Sequence, residues 1–168
     1  MQIFKIDTGG NAGVKDIKGD LQSLQNEVGG LLTLANYYEE LEDIGVDIFA
    51  DDEGLLKASP QVTLMITDKR NRMKVLTTLV GNLIFVSHND EGDTVSLTQE
   101  QISFISNHLK PLFYFLPNGK MNMAHTFWFR LGVNRDELLR KRGVTIHTLI
   151  VPSQHKKTGF SRSFSFRW

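Results

Sequence analysis

Val75-Leu76-Thr77-Thr78-Leu79-Val80-Gly81-Asn82-Leu83-Ile84-Phe85-Val86 is a long apolar run interrupted at Gly81 and Asn82, and it gives way to the polar stretch 87–93. Its second half, Leu83-Ile84-Phe85-Val86, has no polar position at all. A strand that alternates would leave one face wet; one that does not is covered on both faces. Residues 83–86 therefore read as the central strand of a sheet, and the rest of the chain has to supply its neighbours and its covers.

Downstream, Thr98 and Gln101 have the spacing of a capping box, in which the threonine hydroxyl accepts from the helix backbone and the glutamine reaches back. Ile102, Phe104, Ile105 and Leu109 give the helix that follows an apolar face, and Pro111 comes after its end. Upstream, residues 46–50 read as a strand, 51–54 as a turn, and Leu55-Leu56 as extended chain that Pro60 breaks. Residues 31–34 read as a short buried strand and 37–43 are acidic and ambiguous. Asp20 is placed to cap a helix bearing Leu21, Leu24 and Val28, with Gly29-Gly30 as its stop. Residues 3–6 and 14–17 read as a hairpin closed by Gly9-Gly10-Asn11-Ala12-Gly13. In the last third, 113–116 and 124–131 read as strands around the turn 117–120, 134–142 as a helix stopped by Gly143, and 144–151 as a β-branched strand. Finally Phe160, Phe164, Phe166 and Trp168 alternate with Ser161, Ser163, Ser165 and Arg167, leaving Arg162 on the aromatic face.

The expected fold class is α+β: a mixed or antiparallel sheet with two or three short helices, extended by a β-rich, basic C-terminal element. Residues 1–109 form the α+β domain and residues 110–168 the extension packed on it. The 168 residues, 40% of them hydrophobic, are enough for a core without staples. With no cysteine there is no disulfide framework, thiolate nucleophile or sulfur-based zinc site. The start MQIFKIDTGG lacks the basic and apolar regions of a signal peptide, and no run reaches the length of a membrane span, so a cytoplasmic protein is expected.

The net charge of zero conceals a strong asymmetry. Residues 1–109 hold 8 Lys and Arg against 17 Asp and Glu, a net of −9; residues 110–168 hold 11 against 2, a net of +9. Such polarity points to an anionic partner for the basic part, or to acidic and basic parts neutralising each other within the chain or between subunits of a homo-oligomer.

The order of local features from Val14 to Leu109 carries a resemblance. A charged strand leads to a helix ending in Val28-Gly29-Gly30. Asp52-Glu53-Gly54-Leu55-Leu56-Lys57 and Pro60 follow, then Val80-Gly81-Asn82-Leu83-Ile84-Phe85-Val86, then Ser96-Leu97-Thr98-Gln99-Glu100-Gln101-Ile102. This resembles the family catalogued as domain of unknown function 3846, over about residues 2–109. The chain departs from it at Gln61-Val62-Thr63, where members often carry an asparagine after the proline. The resemblance implies a phage or mobile-element origin and no catalytic residues; the basic last third lies outside its pattern.

Candidate constellations divide between chemistry and plain structure. Of His88, His108, His125, His147 and His155, no two have the zinc-protease spacing. His125 and His147 fall in expected strands, as ligand-facing or simply satisfied imidazoles. The carboxylates at 39–43, 51–53 and 90–93 read as solvated turns and a solvated helix end, without calcium-loop spacing. The glycine loop 9–13 lacks the lysine of a phosphate loop and leads to a strand, so it reads as a hairpin turn. The basic third carries the functional reading: Lys120, Arg130, Lys156, Lys157 and Arg162 supply phosphate-binding charge, and Trp128 a flat face for a base. The competing account makes the aromatics the core of a second sheet and the cations its wet side. Together with His125 and His147 these residues form the expected ligand site.

The expected function is a non-enzymatic binding protein, with no cofactor and no metal, that sequesters a phosphorylated nucleotide immune signal as a counter-defence factor in the host cytoplasm. The alternatives are a nucleic-acid-binding accessory or regulatory protein using the same surface, and a protein-interaction module that forms homo-oligomers.

Overall fold

The structure, a computed structural model, describes residues 1–35, 38–68, 74–116 and 118–129. In chain order the elements are β1 (Gln2–Ile6), β2 (Ala12–Asp16), α1 (Leu21–Val28), β3 (Leu32–Leu34), the single-turn α2 (Glu39–Glu42), β4 (Val46–Asp51), a 3-10 turn (Gly54–Leu56), β5 (Val62–Asp68), β6 (Val75–Val80), β7 (Leu83–His88), β8 (Thr94–Val95), α3 (Gln99–His108), β9 (Leu109–Phe115) and β10 (Met121–Phe129).

β7 holds the middle of a first sheet ordered β2-β1-β7-β4-β3, with β8 paired to its end, and every pairing there is antiparallel. Leu83, Ile84, Phe85 and Val86 are all 0% exposed, as an all-apolar central strand requires. A second sheet, ordered β6-β5-β10-β9, is mixed: β10 runs parallel to β5 and antiparallel to β9. The expectation of one mixed or antiparallel sheet thus becomes two sheets, one of each kind, with three helices among the described residues.

The two faces of the first sheet are covered differently. On one, Ile3, Phe49, Ile84 and Val86 are buried under Leu24 and Val28 of α1. On the other, Phe4, Ile48, Leu83 and Phe85 share a core with Leu64 and Ile66 of β5, Phe127 of β10, and Ile102 and Ile105 of α3. Phe85 is the hinge of that core: Phe4 meets it edge-on at 6.1 Å and Phe127 stacks on it at 5.8 Å. β10 is therefore an interior strand whose inward ring reaches the central strand of the other sheet.

Local signals set the helices. Asp20 accepts from the Ser23 amide at 2.7 Å, and Gly29 ends α1 in the left-handed region at φ 84°. Thr98 and Gln101 form the reciprocal capping box, and the Gln101 amide group also donates to the Ile44 carbonyl at 2.6 Å and to Ser87 Oγ at 2.9 Å. One side chain thus caps α3 and ties it to the first sheet.

Several expected elements differ. Leu55-Leu56 closes a 3-10 turn and is not extended. β9 begins directly after α3, so Pro111 lies inside an edge strand, the position in a sheet where proline is tolerated. β5 has no counterpart in the sequence reading. The elements expected at 134–142, 144–151 and 160–168 lie outside the described residues.

Candidate ligand-binding site

Among the expected site residues, Arg130, His147, Lys156, Lys157 and Arg162 lie outside the described residues. Lys120, His125 and Trp128 all belong to β10 or the turn before it, and the structure does not gather them. Lys120 is exposed at the turn, where its amide donates to Asn118 Oδ1 at 3.0 Å. Eight residues on, a strand has risen by roughly 27 Å, and there Trp128 sits half-buried. His125 lies between them at 7% exposure, three positions from Trp128 and so on the opposite face of the strand.

Trp128 belongs to an aromatic cluster at the junction of α3, β9 and β10. His108 stacks on Phe104 at 4.0 Å and meets Trp128 at 5.0 Å and Phe127 at 5.7 Å. His108 Nδ1 donates to the Phe104 carbonyl at 2.8 Å, which fixes the ring's tautomer and orientation. The helix end and the strand end that build this cluster are distant in sequence, and only the stack itself reveals His108 as part of the group. From here the chain enters residues 130–168, which carry nine of the eleven cations of the basic third.

His125 faces the β1–β2 loop. Burial pushes its imidazole below the usual histidine range, and the charge of Asp7 pulls weakly the other way. Its Nδ1 has no hydrogen-bond partner among the described residues. The loop itself is full. Asp7 Oδ1 accepts from the amides of Gly9 at 2.8 Å and Asn11 at 2.9 Å, and Oδ2 from Asn11 Nδ2 at 2.9 Å. Burial alone would raise the Asp7 pKa, but these hydrogen bonds outweigh it and hold the carboxyl below its usual range. The amides a phosphate would need are already taken by the chain's own carboxylate, in keeping with a hairpin turn.

A second convergence involves the residues that carried the family resemblance. Asp51, expected in a solvated turn, is only 2% exposed. It ion-pairs with Lys57, whose Nζ also donates to the Gly29 carbonyl at 3.0 Å. A Cβ on Gly30 would stand 2.1 Å from Asp51 Oδ1, so only glycine admits the carboxylate there. Asn82 Oδ1 accepts from the Thr8 amide at 3.1 Å, and Gly54 packs against Val80. The Gly29-Gly30, Asp51–Lys57 and Val80–Asn82 segments are thus pieces of one structural clasp. The cavity beside it, bordered by Thr33, Ala35, Ala50, Leu55, Thr78 and Leu79, measures about 10 Å³, room for one water.

A third cluster also departs from the solvated-turn reading of the acids. His88 Nδ1 lies 2.9 Å from Asp47 Oδ2, and Glu42 Oε2 is 4.0 Å from Nε2, all three largely buried. Among the described residues no group of three or more His, Asp or Glu is arranged to hold a metal ion, and no helix is long and apolar enough to cross a membrane.

No curated protein and no solved structure matches the chain significantly. A family model, Domain of unknown function (DUF3846), matches residues 1–110, which contain the whole clasp, and the chain therefore belongs to that family.

Proposed function

We propose that this chain is a non-enzymatic binding protein whose ligand is phosphorylated and carries a nucleobase, taken up by the basic, aromatic part of the molecule. The observation that carries this reading is the position of β10. It is locked into the core through Phe127, presents Trp128 beside His108, and leads directly into residues 130–168, which hold nine of the eleven cations of the basic third. A rigid strand with a flat ring at the start of a cation-rich segment is what base stacking and phosphate neutralisation need together.

Two forms of ligand share that chemistry. A sequestered nucleotide immune signal, the counter-defence role in a phage or mobile element, requires a pocket of roughly 300 Å³ or more. The cavity beside the clasp is far smaller, so such a pocket would draw its walls from elsewhere in the chain. An open strand surface suits a single-stranded polynucleotide better, and that is the form favoured here.

Binding of the full-length protein to a labelled oligonucleotide, measured against salt, tests the reading. Polyanion binding should weaken steeply between about 50 and 200 mM salt, because releasing counterions into more concentrated salt gains less entropy. Salt-indifferent binding, together with a nucleotide recovered from heat-denatured protein, would move the assignment to the enclosed signal. Neither binding nor a released nucleotide would refute both.

A further inference from the structure

The face of β10 that reaches the core carries Met121, Met123, His125 and Phe127 at alternate positions. Three of the four bring donor atoms: two thioether sulfurs and an imidazole. His125 is 7% exposed, and its Nδ1 is shut off from solvent with no hydrogen-bond partner among the described residues. Orphaned buried nitrogens are rare in folded proteins, and each calls for an explanation. The other two described imidazoles are engaged, His88 Nδ1 with Asp47 and His108 Nδ1 with the Phe104 carbonyl. Met123, two residues from His125, is packed against the β1–β2 loop so closely that a Cβ on Gly10 would stand 2.3 Å from Met123 Cε. Met121, one step further out, is 57% exposed and marks the side from which solvent reaches the pair.

We propose that Met123 and His125 bind a soft monovalent metal ion, Cu(I), through the thioether sulfur and a ring nitrogen. Alternate residues of a strand stand roughly 6.8 Å apart, a gap that a methionine and a histidine side chain leaning towards each other can close on one ion. The surroundings choose the metal. A thioether is a soft donor and selects Cu(I), whereas magnesium, calcium and manganese need oxygen. The neighbours across the ladder, Phe113, Pro111 and Leu64, offer no side-chain oxygen. The carboxylate of Asp7, whose charge reaches His125, is taken up by its own loop. With neutral donors a single positive charge is less costly to bury than a double one, and burial keeps the imidazole in the neutral form that a metal needs. The chain has no cysteine, so no thiolate competes for a soft ion. Residues 1–129 hold 10 Lys and Arg against 17 Asp and Glu, a net of −7, and that field draws cations. A bound ion departs from the expectation of no metal, because histidine spacing alone leaves thioethers out of account. The site lies on the face of β10 opposite Trp128 and does not depend on the nucleotide reading.

The test titrates the full-length protein with Ag(I), an air-stable soft ion, by calorimetry in chloride-free buffer, and with Cu(I) against the chromophoric chelator bathocuproine disulfonate without oxygen. One equivalent should bind. Met123→Leu, close in volume, and His125→Gln should each weaken binding by more than the roughly 10–100-fold that losing an outer-shell partner costs. Met65→Leu, on the other face of the second sheet, should leave it unchanged. Added Ag(I) should raise the thermal midpoint of the native chain and not of the first two variants. In native protein with isotope-labelled methionine methyls, Ag(I) should move the Met123 resonance and leave that of Met65 in place, a readout that needs no folded His125 variant. No binding by the native chain, or binding that both Met123→Leu and His125→Gln retain, overturns the site, as does an unmoved Met123 resonance at saturation. Zn(II) bound as tightly as Ag(I) overturns the soft-donor assignment and the site with it.

Discussion

Ending the chain after Lys110 keeps the whole segment matched by the family and discards β10. The cost follows from the core. Phe127 is fully buried and stacks on Phe85, so Phe127→Ala alone should cost about 3–5 kcal/mol through lost transfer energy and the cavity left behind. Removing the strand does more. β5 loses its parallel partner along Leu64 to Asp68, and Leu64 and Ile66, each 0% exposed, lose their cover on that side. Small domains have only about 5–15 kcal/mol in total, so the 1–110 fragment is expected to lose cooperative folding and expose apolar surface. Urea unfolding followed by far-UV circular dichroism, on 1–110, the full chain and full-length Phe127→Ala, makes the comparison. Phe127→Ala should shift the midpoint at nearly constant slope, and 1–110 should show a shallow or absent transition. A sharp transition for 1–110 near the native midpoint would refute the argument: β10 would then be an accessory to a core complete without it.

Other expectations follow from single contacts. Glu27 receives Lys5 at 2.8 Å and Lys15 at 2.6 Å, and although burial would raise its pKa, those two hydrogen bonds hold the carboxyl below its usual range. A depressed carboxyl stabilises the fold above its unfolded pKa of about 4.3 and loses that contribution as pH falls through the lower folded value; Glu27→Gln should cost about 1–2 kcal/mol near neutrality and lose less than the native chain on acidification, read from urea midpoints. His125 has the same sign over a higher pH range: with its folded pKa below about 6.5 the native state binds fewer protons than the unfolded chain, so stability declines as pH falls from 7 towards 5. His125→Leu should flatten that decline in thermal melts; an unchanged slope would place the titrating group elsewhere. Gly30→Ala forces Asp51 away from Lys57 and should cost more than the roughly 0.5 kcal/mol of an ordinary surface change, whereas Gly81→Ala, whose Cβ meets nothing within 4 Å, pays only for its φ of 76°. Gln101→Leu removes half a capping box and the bonds to Ile44 and Ser87, for about 2 kcal/mol by chemical denaturation.

What could be read from the residues divides along the range of the interactions responsible. Asp20, Gly29 and the Thr98–Gln101 pair were legible because a cap is decided within four residues. The 83–86 strand was legible because an unbroken apolar run has only a buried solution. β5 was not: Val62-Thr63-Leu64-Met65-Ile66-Thr67 sets three apolar residues between two threonines just after a proline, and it becomes an interior strand only between β6 and β10, the latter far along the chain. Asp51 was misplaced for the same reason. A carboxylate followed by Asp52-Glu53-Gly54 looks like a wet turn, and its burial depends on a lysine six residues on and on a missing Cβ in another loop. The outer end of the β9–β10 hairpin obeys this rule most strictly. The aromatic run 113–116 announces a strand, yet whether Phe113 and Phe115 are buried or exposed depends on where the first sheet stops. That limit is fixed at Met123 by a glycine in the β1–β2 loop. Periodicity tells which side chains share a face; only the packing of distant elements decides which part of that face stays open.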